Sequence, residues 1–383
     1  MFQLALQMLF GDRGKYIALV LGITFAALIM TQQPSIFLGL MTRTYAYIEN
    51  LRLPDIWVMD PGIEFVEENK PMRDTDLQLV RGAPGVAWAV PLHKSLITAR
   101  LPDGNRRLID LSGLDDATLV GAPAVMIEGR IDDLRRADAI IVDAEAARNR
   151  LAFIDPITNK KRGVRVGDVL EVNDKRALVV GISKAVRTFT VQPLVYTTYS
   201  RAIAWVPPQR RMLSYILVKA QGNPDDVAKS ITQRTGLKAM TADDFKWANL
   251  NYWMKNTGIP INFGISVMLG FLVGAAIAGQ TFFSFVRENL KQFAALKAMG
   301  MSHARLAGMV MVQALTVGLI GYGFGVGLTA AFGLRMKDSV LAFYFPWQLM
   351  LFSLAGVLLI ITVSALIAMR TIFKVDAAEV FRT

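Results

Sequence analysis

Four runs along the chain contain no Asp, Glu, Lys or Arg: Tyr16 to Thr42, Asn256 to Val286, Leu306 to Leu334, and Ser339 to Met369. Each exceeds the roughly 20 residues needed to cross a hydrocarbon core, so the pattern predicts four transmembrane helices. A charge at the centre of such a helix costs about 2.5–3.5 kcal/mol on the insertion scale, which makes the complete absence of charge a constraint rather than an accident. Between the first and second runs the pattern changes to short alternating segments separated by turn residues. The chain therefore divides into transmembrane helix 1 with a stalk (16–42), an inserted α+β domain (43–255), and transmembrane helices 2 (256–286), 3 (306–334) and 4 (339–369).

Within the inserted domain, Asp55 to Met59 reads as a strand ended by Asp60-Pro61-Gly62, and Ser95 to Ile109 as two strands joined through Pro102-Asp103-Gly104-Asn105. Ala139 to Val142 is a strand candidate followed by a helix from about Asp143. Val166 to Ile182 reads as a strand, a tight Asn173-Asp174 turn and a returning strand. Tyr215 to Lys219 followed by Asn223-Pro224-Asp225-Asp226-Val227 reads as strand, loop and capped helix. Thr241 to Asn256, with Phe245, Trp247, Leu250, Tyr252 and Trp253, is an amphipathic helix whose aromatics suit an interfacial belt or a stalk. Thr257-Gly258-Ile259-Pro260 then gives either a hinge or a simple change of direction.

At the amino terminus, Leu4 to Phe10 is a short apolar run that Gly11-Asp12-Arg13-Gly14 separates from the first span; residues 1–15 read as an interfacial elbow. The first apolar run is longer than a signal-peptide core and ends in no convincing cleavage site, which favours an uncleaved anchor. Gln32-Gln33-Pro34 near its outer end fits a kink, a continuing stalk, or the end of the span. In the spans, Gly270 and Gly274, Gly321 and Gly325, and Gly323 and Gly327 form four-residue ladders that let backbones approach closely. Gln280 and Gln313 are expected to hydrogen-bond across helices.

Between spans 2 and 3, residues 287–305 form a short polar segment. At helical spacing Leu290, Phe293, Ala294 and Leu296 fall towards one side with Lys297 among them, while Arg287, Glu288, Lys291 and Gln292 fall on the other. Gly300 reads as a helix stop and Ser302 as the N-cap of the next helix. Such a segment is either a helix lying along the membrane that offers a firm surface to an aqueous partner, or an interfacial loop anchored by its basic residues.

Charge sets the orientation. The chain carries a formal net charge of +11. Outside the inserted domain, nine basic residues (Arg13, Lys15, Arg287, Lys291, Lys297, Arg305, Arg370, Lys374, Arg382) share one side if both termini are cytoplasmic, and two (Arg335, Lys337) lie opposite. The positive-inside rule then makes the inserted domain extracytoplasmic, and it assigns the charge to topology rather than to nucleic acid. There is no cysteine, so the domain relies on its own core without disulfides or thiolate chemistry. The two histidines, His93 and His303, fall in different compartments, and no metal site is expected. No P-loop, nucleophile elbow or zinc motif occurs, and no acidic residue lies in a span; no catalytic site is expected.

The order of residues from Lys291 to Ser302, Lys-Gln-Phe-Ala-Ala-Leu-Lys-Ala-Met-Gly-Met-Ser, resembles the cytoplasmic coupling segment of MacB/FtsX-type (type VII) ABC transporter permeases, Arg-Glu-Ile-Gly-x-Leu-Arg-Ala-Leu-Gly-Ala-Ser, and is most similar to the DevC branch, where Leu-Lys-Ala-Met-Gly is a familiar variant. The Val166–Ile182 hairpin resembles one in the MacB-type periplasmic domain. The tail (370–383) resembles the family's terminal signature Pro-Ala-Glu-Val-Phe-Arg through Ala378, Glu379, Val380, Phe381 and Arg382, with Ala377 in place of the proline. Gln292 likewise replaces the usual glutamate.

The resemblance implies a bacterial inner-membrane permease subunit, with a periplasmic domain and both termini cytoplasmic. Arg287, Lys291, Gln292, Phe293, Leu296, Lys297, Gly300 and Ser302 would form the surface on which a separate cytoplasmic ABC ATPase acts. ATP and Mg would be bound by that ATPase and no cofactor by this chain. The other partners implied are a second permease copy or paralogue, a membrane-fusion adaptor and an outer-membrane channel. The expected function is export of a lipid, glycolipid, peptide or drug; the alternative is a lipoprotein-releasing or FtsX-like mechanotransmitting permease that controls envelope remodelling.

Overall fold

The computed structural model describes residues 2–51, 53–184, 187–336 and 341–373. The chain opens with α1 (Phe2–Gly11) and α2 (Arg13–Thr44) and enters the inserted region through α3 (Ala46–Asn50). There follow β1 (Ile56–Met59), α4 (Asp74–Arg81), β2 (Val86–Arg100), β3 (Arg106–Leu114), β4 (Met126–Glu128), β5 (Ala139–Asp143), α5 (Ala144–Arg148), β6 (Phe153–Ile154), β7 (Lys161–Arg162), β8 (Val169–Val172), β9 (Lys175–Ser183) and β10 (Leu194–Thr198). The region ends with α6 (Tyr199–Trp205), β11 (Tyr215–Ala220), α7 (Pro224–Thr235), β12 (Lys238–Thr241) and α8 (Ala242–Asn256). Last come α9 (Ile259–Glu288), α10 (Leu290–Ala298), α11 (His303–Met336) and α12 (Trp347–Phe373). Two compact units result: Met1–Leu40 with Gly258–Thr383, and Met41–Thr257.

Among the described residues of the first unit, α2, α9, α11 and α12 are the four helices long and apolar enough to span a membrane. Close approach at glycine sets their packing. Gly270 and Gly274 on α9 abut Ile29 and Ala26 of α2, while Gly321 and Gly325 on α11 abut Ile23 and Ala27 of the same helix. A Cβ added at Gly325 would lie 2.6 Å from that of Ala27 and 2.8 Å from the Thr24 carbonyl oxygen, so only glycine admits this contact. Gly323 and Gly327, the third ladder, face open space. The helix α2 continues through Pro34 to Thr44, setting aside a span that ends at the proline. Gln313 is buried and donates a 2.8 Å hydrogen bond to the Ala5 carbonyl of α1, tying the elbow to α11. Gln280 departs from expectation: it sits on the exposed side of α9, because Gly274, Ala278 and Phe282 take the inward face at four-residue spacing.

The second unit is a mixed α/β domain built around one long strand. The first part of β2 pairs with β11 in a sheet ordered β12-β1-β11-β2. Its second part joins a ring in which β2, β3, β10, β5, β9 and β8 pair in succession and β8 returns to β2, closing a six-stranded barrel. Asn173 and Asp174, both at positive φ, make the tight β8–β9 turn. Ile97, Ile109, Leu111, Val142, Leu170, Val172, Val179 and Val195 fill the barrel.

The sheet is covered on both sides, which is why β1 and β11 read as continuous apolar runs. Ile56, Val58, Ile216 and Val218 face a core shared with Val227 and Ile231 of α7. Trp57, Met59, Tyr215 and Leu217 face the other side, against Tyr47 of α3 and Phe245 of α8.

Candidate coupling surface

The segment between the second and third spans is a nine-residue helix whose two ends are both defined by backbone hydrogen bonds. Helix α9 runs through Arg287 and Glu288, so these two residues cap the span rather than open the short helix. Asn289 breaks the path: its side chain donates to the Phe285 carbonyl at 2.8 Å, and its own carbonyl accepts from Gln292 and Phe293. At the other end, Gly300 adopts φ +88°. Its amide donates to the Lys297 carbonyl and the Met301 amide to the Leu296 carbonyl, at 3.0 and 3.1 Å. This is a Schellman stop, and its usual apolar clasp is present, since Leu296 and Met301 pack on the same core. The Ser302 carbonyl then accepts from Arg305 and Leu306 to start α11.

One face of α10 is anchored and the other is offered. Phe293 and Ala294 are buried, and Phe293 belongs to a cluster with Leu9 of α1, Phe285 and Val286 of α9, Leu306 and Val310 of α11, and Met369 of α12. Lys291 and Gln292 are exposed on the opposite face, Lys297 is half-buried, and Gly300, Ser302 and Arg305 are exposed beyond the turn. Met299 is 75% exposed, the apolar tip of an otherwise basic surface. Nearby, Lys15 at the start of α2 bridges Asp12, at 2.9 Å, and Glu288. This ties the first span to the end of the second.

The structure thus places Arg287 in the last turn of α9 and Lys291, Gln292, Phe293, Leu296, Lys297, Gly300 and Ser302 on the short helix and the turn that follows it, with Phe293 and Leu296 packed on the core. Residues 378–382 of the terminal signature lie outside the described residues. Met299, Asn289 and the Lys15–Glu288 bridge were not foreseen. An apolar residue immediately before a helix-stopping glycine is the signal that could have flagged Met299.

The profile of the MacB-like periplasmic core domain matches residues 17–234, and that of the FtsX-like permease C-terminal region matches residues 264–377. The chain belongs to the MacB/FtsX-type permease family. It is therefore the membrane component of an ABC transporter, a family that works with an ABC ATPase and dimerises, and it is an inner-membrane protein with a periplasmic domain. Among solved structures, the extracellular domain of the ABC-type transporter YknZ from Gram-positive bacteria is similar over 50% of this MacB/FtsX-type chain and 99% of its own, at 16% identity and a TM-score of 0.34. The periplasmic region of MacB from Actinobacillus actinomycetemcomitans is similar over 52% and 94%, at 12% identity and a TM-score of 0.37. A domain of a permease protein from Porphyromonas gingivalis is similar over 50% and 90%, at 15% identity and a TM-score of 0.33. No curated protein matches the chain.

Proposed function

We propose that this permease is DevC-like and couples ATP hydrolysis by a separate cytoplasmic ATPase to movements of its periplasmic domain, driving export of a lipid, glycolipid, peptide or drug through a membrane-fusion adaptor and an outer-membrane channel. ATP and Mg belong to the ATPase, which docks on α10. The observation that carries this reading is the division of α10 into an anchored and an offered face: force on Lys291, Gln292 and Met299 passes through Phe293 into the core shared by α1, α9, α11 and α12. Two further observations support handling of the substrate outside the bilayer rather than between the spans. The charge-free runs offer no ionised relay, and glycine contacts close α2 tightly against α9 and α11.

Affinity purification of the tagged permease from its host in mild detergent tests the proposal, with Lys291→Glu/Met299→Glu as the comparison. The wild type is expected to bring an ABC ATPase with it and the double variant to lose at least about tenfold of it, as reversing a charge and burying a carboxylate at one contact imply. An adaptor in the same eluate supports export; a lipoprotein or a cell-wall hydrolase instead supports the envelope-remodelling alternative. Absence of any ATPase under every nucleotide condition overturns the coupling role.

A further inference from the structure

The periplasmic unit holds a group of ionisable side chains that the transport reading does not use. Lys94 of β2 and Asp110 of β3 pair at 2.8 Å with side chains 7% and 1% exposed. Lys94 also lies 4.9 Å from the ring centre of Tyr47, whose hydroxyl is 2.9 Å from Ser112 Oγ. Glu67, in the loop after β1, lies within electrostatic reach of both charges. Neither of its carboxyl oxygens, nor Asp110 Oδ1, has a hydrogen-bond partner among the described residues, and all three atoms are buried. One ammonium thus stands against two carboxyl groups.

The loop that carries Glu67 straps α8, the helix through which this unit continues into the second span. Its Val66 amide donates to Asn249 of α8 at 3.1 Å, and its Val66 and Glu68 carbonyls accept from the Tyr215 hydroxyl of β11 at 3.0 and 3.1 Å. Phe65 stacks on Tyr252 of α8 at 4.4 Å. Asn69 donates to the Lys94 carbonyl. On the α3 side, Tyr47 meets Trp57, which in turn meets Phe245 of α8. A cavity of about 270 Å³ lined by Glu67, Asn69, Lys94, Ser95, Leu96, Arg210 and Met212 gives water a route to the cluster.

We propose that Glu67 is a proton-binding site built into this joint: with a proton on its carboxyl the 61–71 loop is clamped onto α8, and with the proton released the second buried anion loosens it. Asp110 holds the direct ion pair with Lys94; Glu67, whose buried carboxyl oxygens have no hydrogen-bond partner among the described residues, is the group that can release a proton. Burial, opposed in part by Lys94 and reinforced by Asp110, pushes Glu67 up to about 7 from 4.5. A raised carboxyl favours the folded loop below its unfolded value and loses that advantage as pH rises through the folded one. The other groups facing the site do not produce this dependence. Tyr47 and Tyr215 are pushed upward by burial, away from neutrality. Arg210 is bonded to the Leu96 carbonyl. His93, held by the Met212 carbonyl and Ser95, is pushed downward by burial and acts in the opposite sense, favouring the fold as pH rises.

Hydrogen–deuterium exchange of residues 63–69 in the full chain in lipid nanodiscs, corrected for intrinsic rate, reads the clamp directly. Between pH 6 and pH 8 the wild type is expected to lose about tenfold in protection, and Glu67→Gln to show no such change. Infrared difference spectra over the same range should show a protonated carboxyl band disappearing in the wild type and not in Glu67→Gln, a readout independent of loop stability. Equal pH dependence in both proteins, or a wild type without any, overturns the proposal.

Discussion

The short helix α10 between the second and third spans and the short helix α3 that opens the periplasmic unit are both pressed against larger bodies, but by different means. Nine residues of α10 rest on two buried side chains, Phe293 and Ala294, with the far face left to solvent. Five residues of α3 are held by Tyr47, Ile48 and Asn50, all buried, with Tyr47 engaging Trp57, Ser112 and Lys94. A surface that receives another subunit, as proposed for α10, must keep one face available and carries no buried charge; an internal joint can bury everything and use polar contacts to fix geometry. The contrast predicts that loss of an anchor is local in α10 and global in the periplasmic unit.

The largest test is Tyr47→Ala, which opens a cavity beneath Lys94 and removes the Ser112 contact. It should destabilise the periplasmic unit by about 3–5 kcal/mol, seen as a lower unfolding midpoint by denaturant titration of the reconstituted chain. A loss under about 1 kcal/mol would show that the aromatic joint is not what secures α3. Next, Phe293→Ala should cost roughly 3 kcal/mol, confined to α10: exchange rises across 289–301 and ATPase capture falls, while the periplasmic unit keeps its midpoint. Spread of the effect to that unit would break the comparison. The smallest is Gly300→Ala, where the left-handed φ of +88° costs an L-residue about 1 kcal/mol. No atom other than its chain neighbours lies within 4 Å of the added Cβ, so the penalty is purely backbone and should appear as modest fraying after Lys297.

What could be read from residue order was whatever depends on neighbours in the chain. The uncharged runs located four spans, and Gly300 and Ser302 located the turn after α10, because helix periodicity and capping act over a few positions. The Asn173-Asp174 hairpin was legible for the same reason. Closure of the barrel was not, since it pairs Ala99 with Val172 across a long separation that no local pattern encodes. Lys94 looks like an exposed strand residue until Asp110 is placed beside it. The expectation for Gln280 failed because the face a span buries depends on its neighbours, and a lone glutamine does not reveal it.

Strand β2 belongs to the sheet through Leu92 and to the barrel from His93 onward. A single extended backbone is therefore common to the sheet and the barrel, and the point where its partner strand changes is stitched by Ser214, whose amide donates to the Leu92 carbonyl and whose hydroxyl accepts from the Lys94 amide. Displacement of the sheet, against which α3 and α8 pack, is on this geometry passed along one strand into the barrel instead of through a loop.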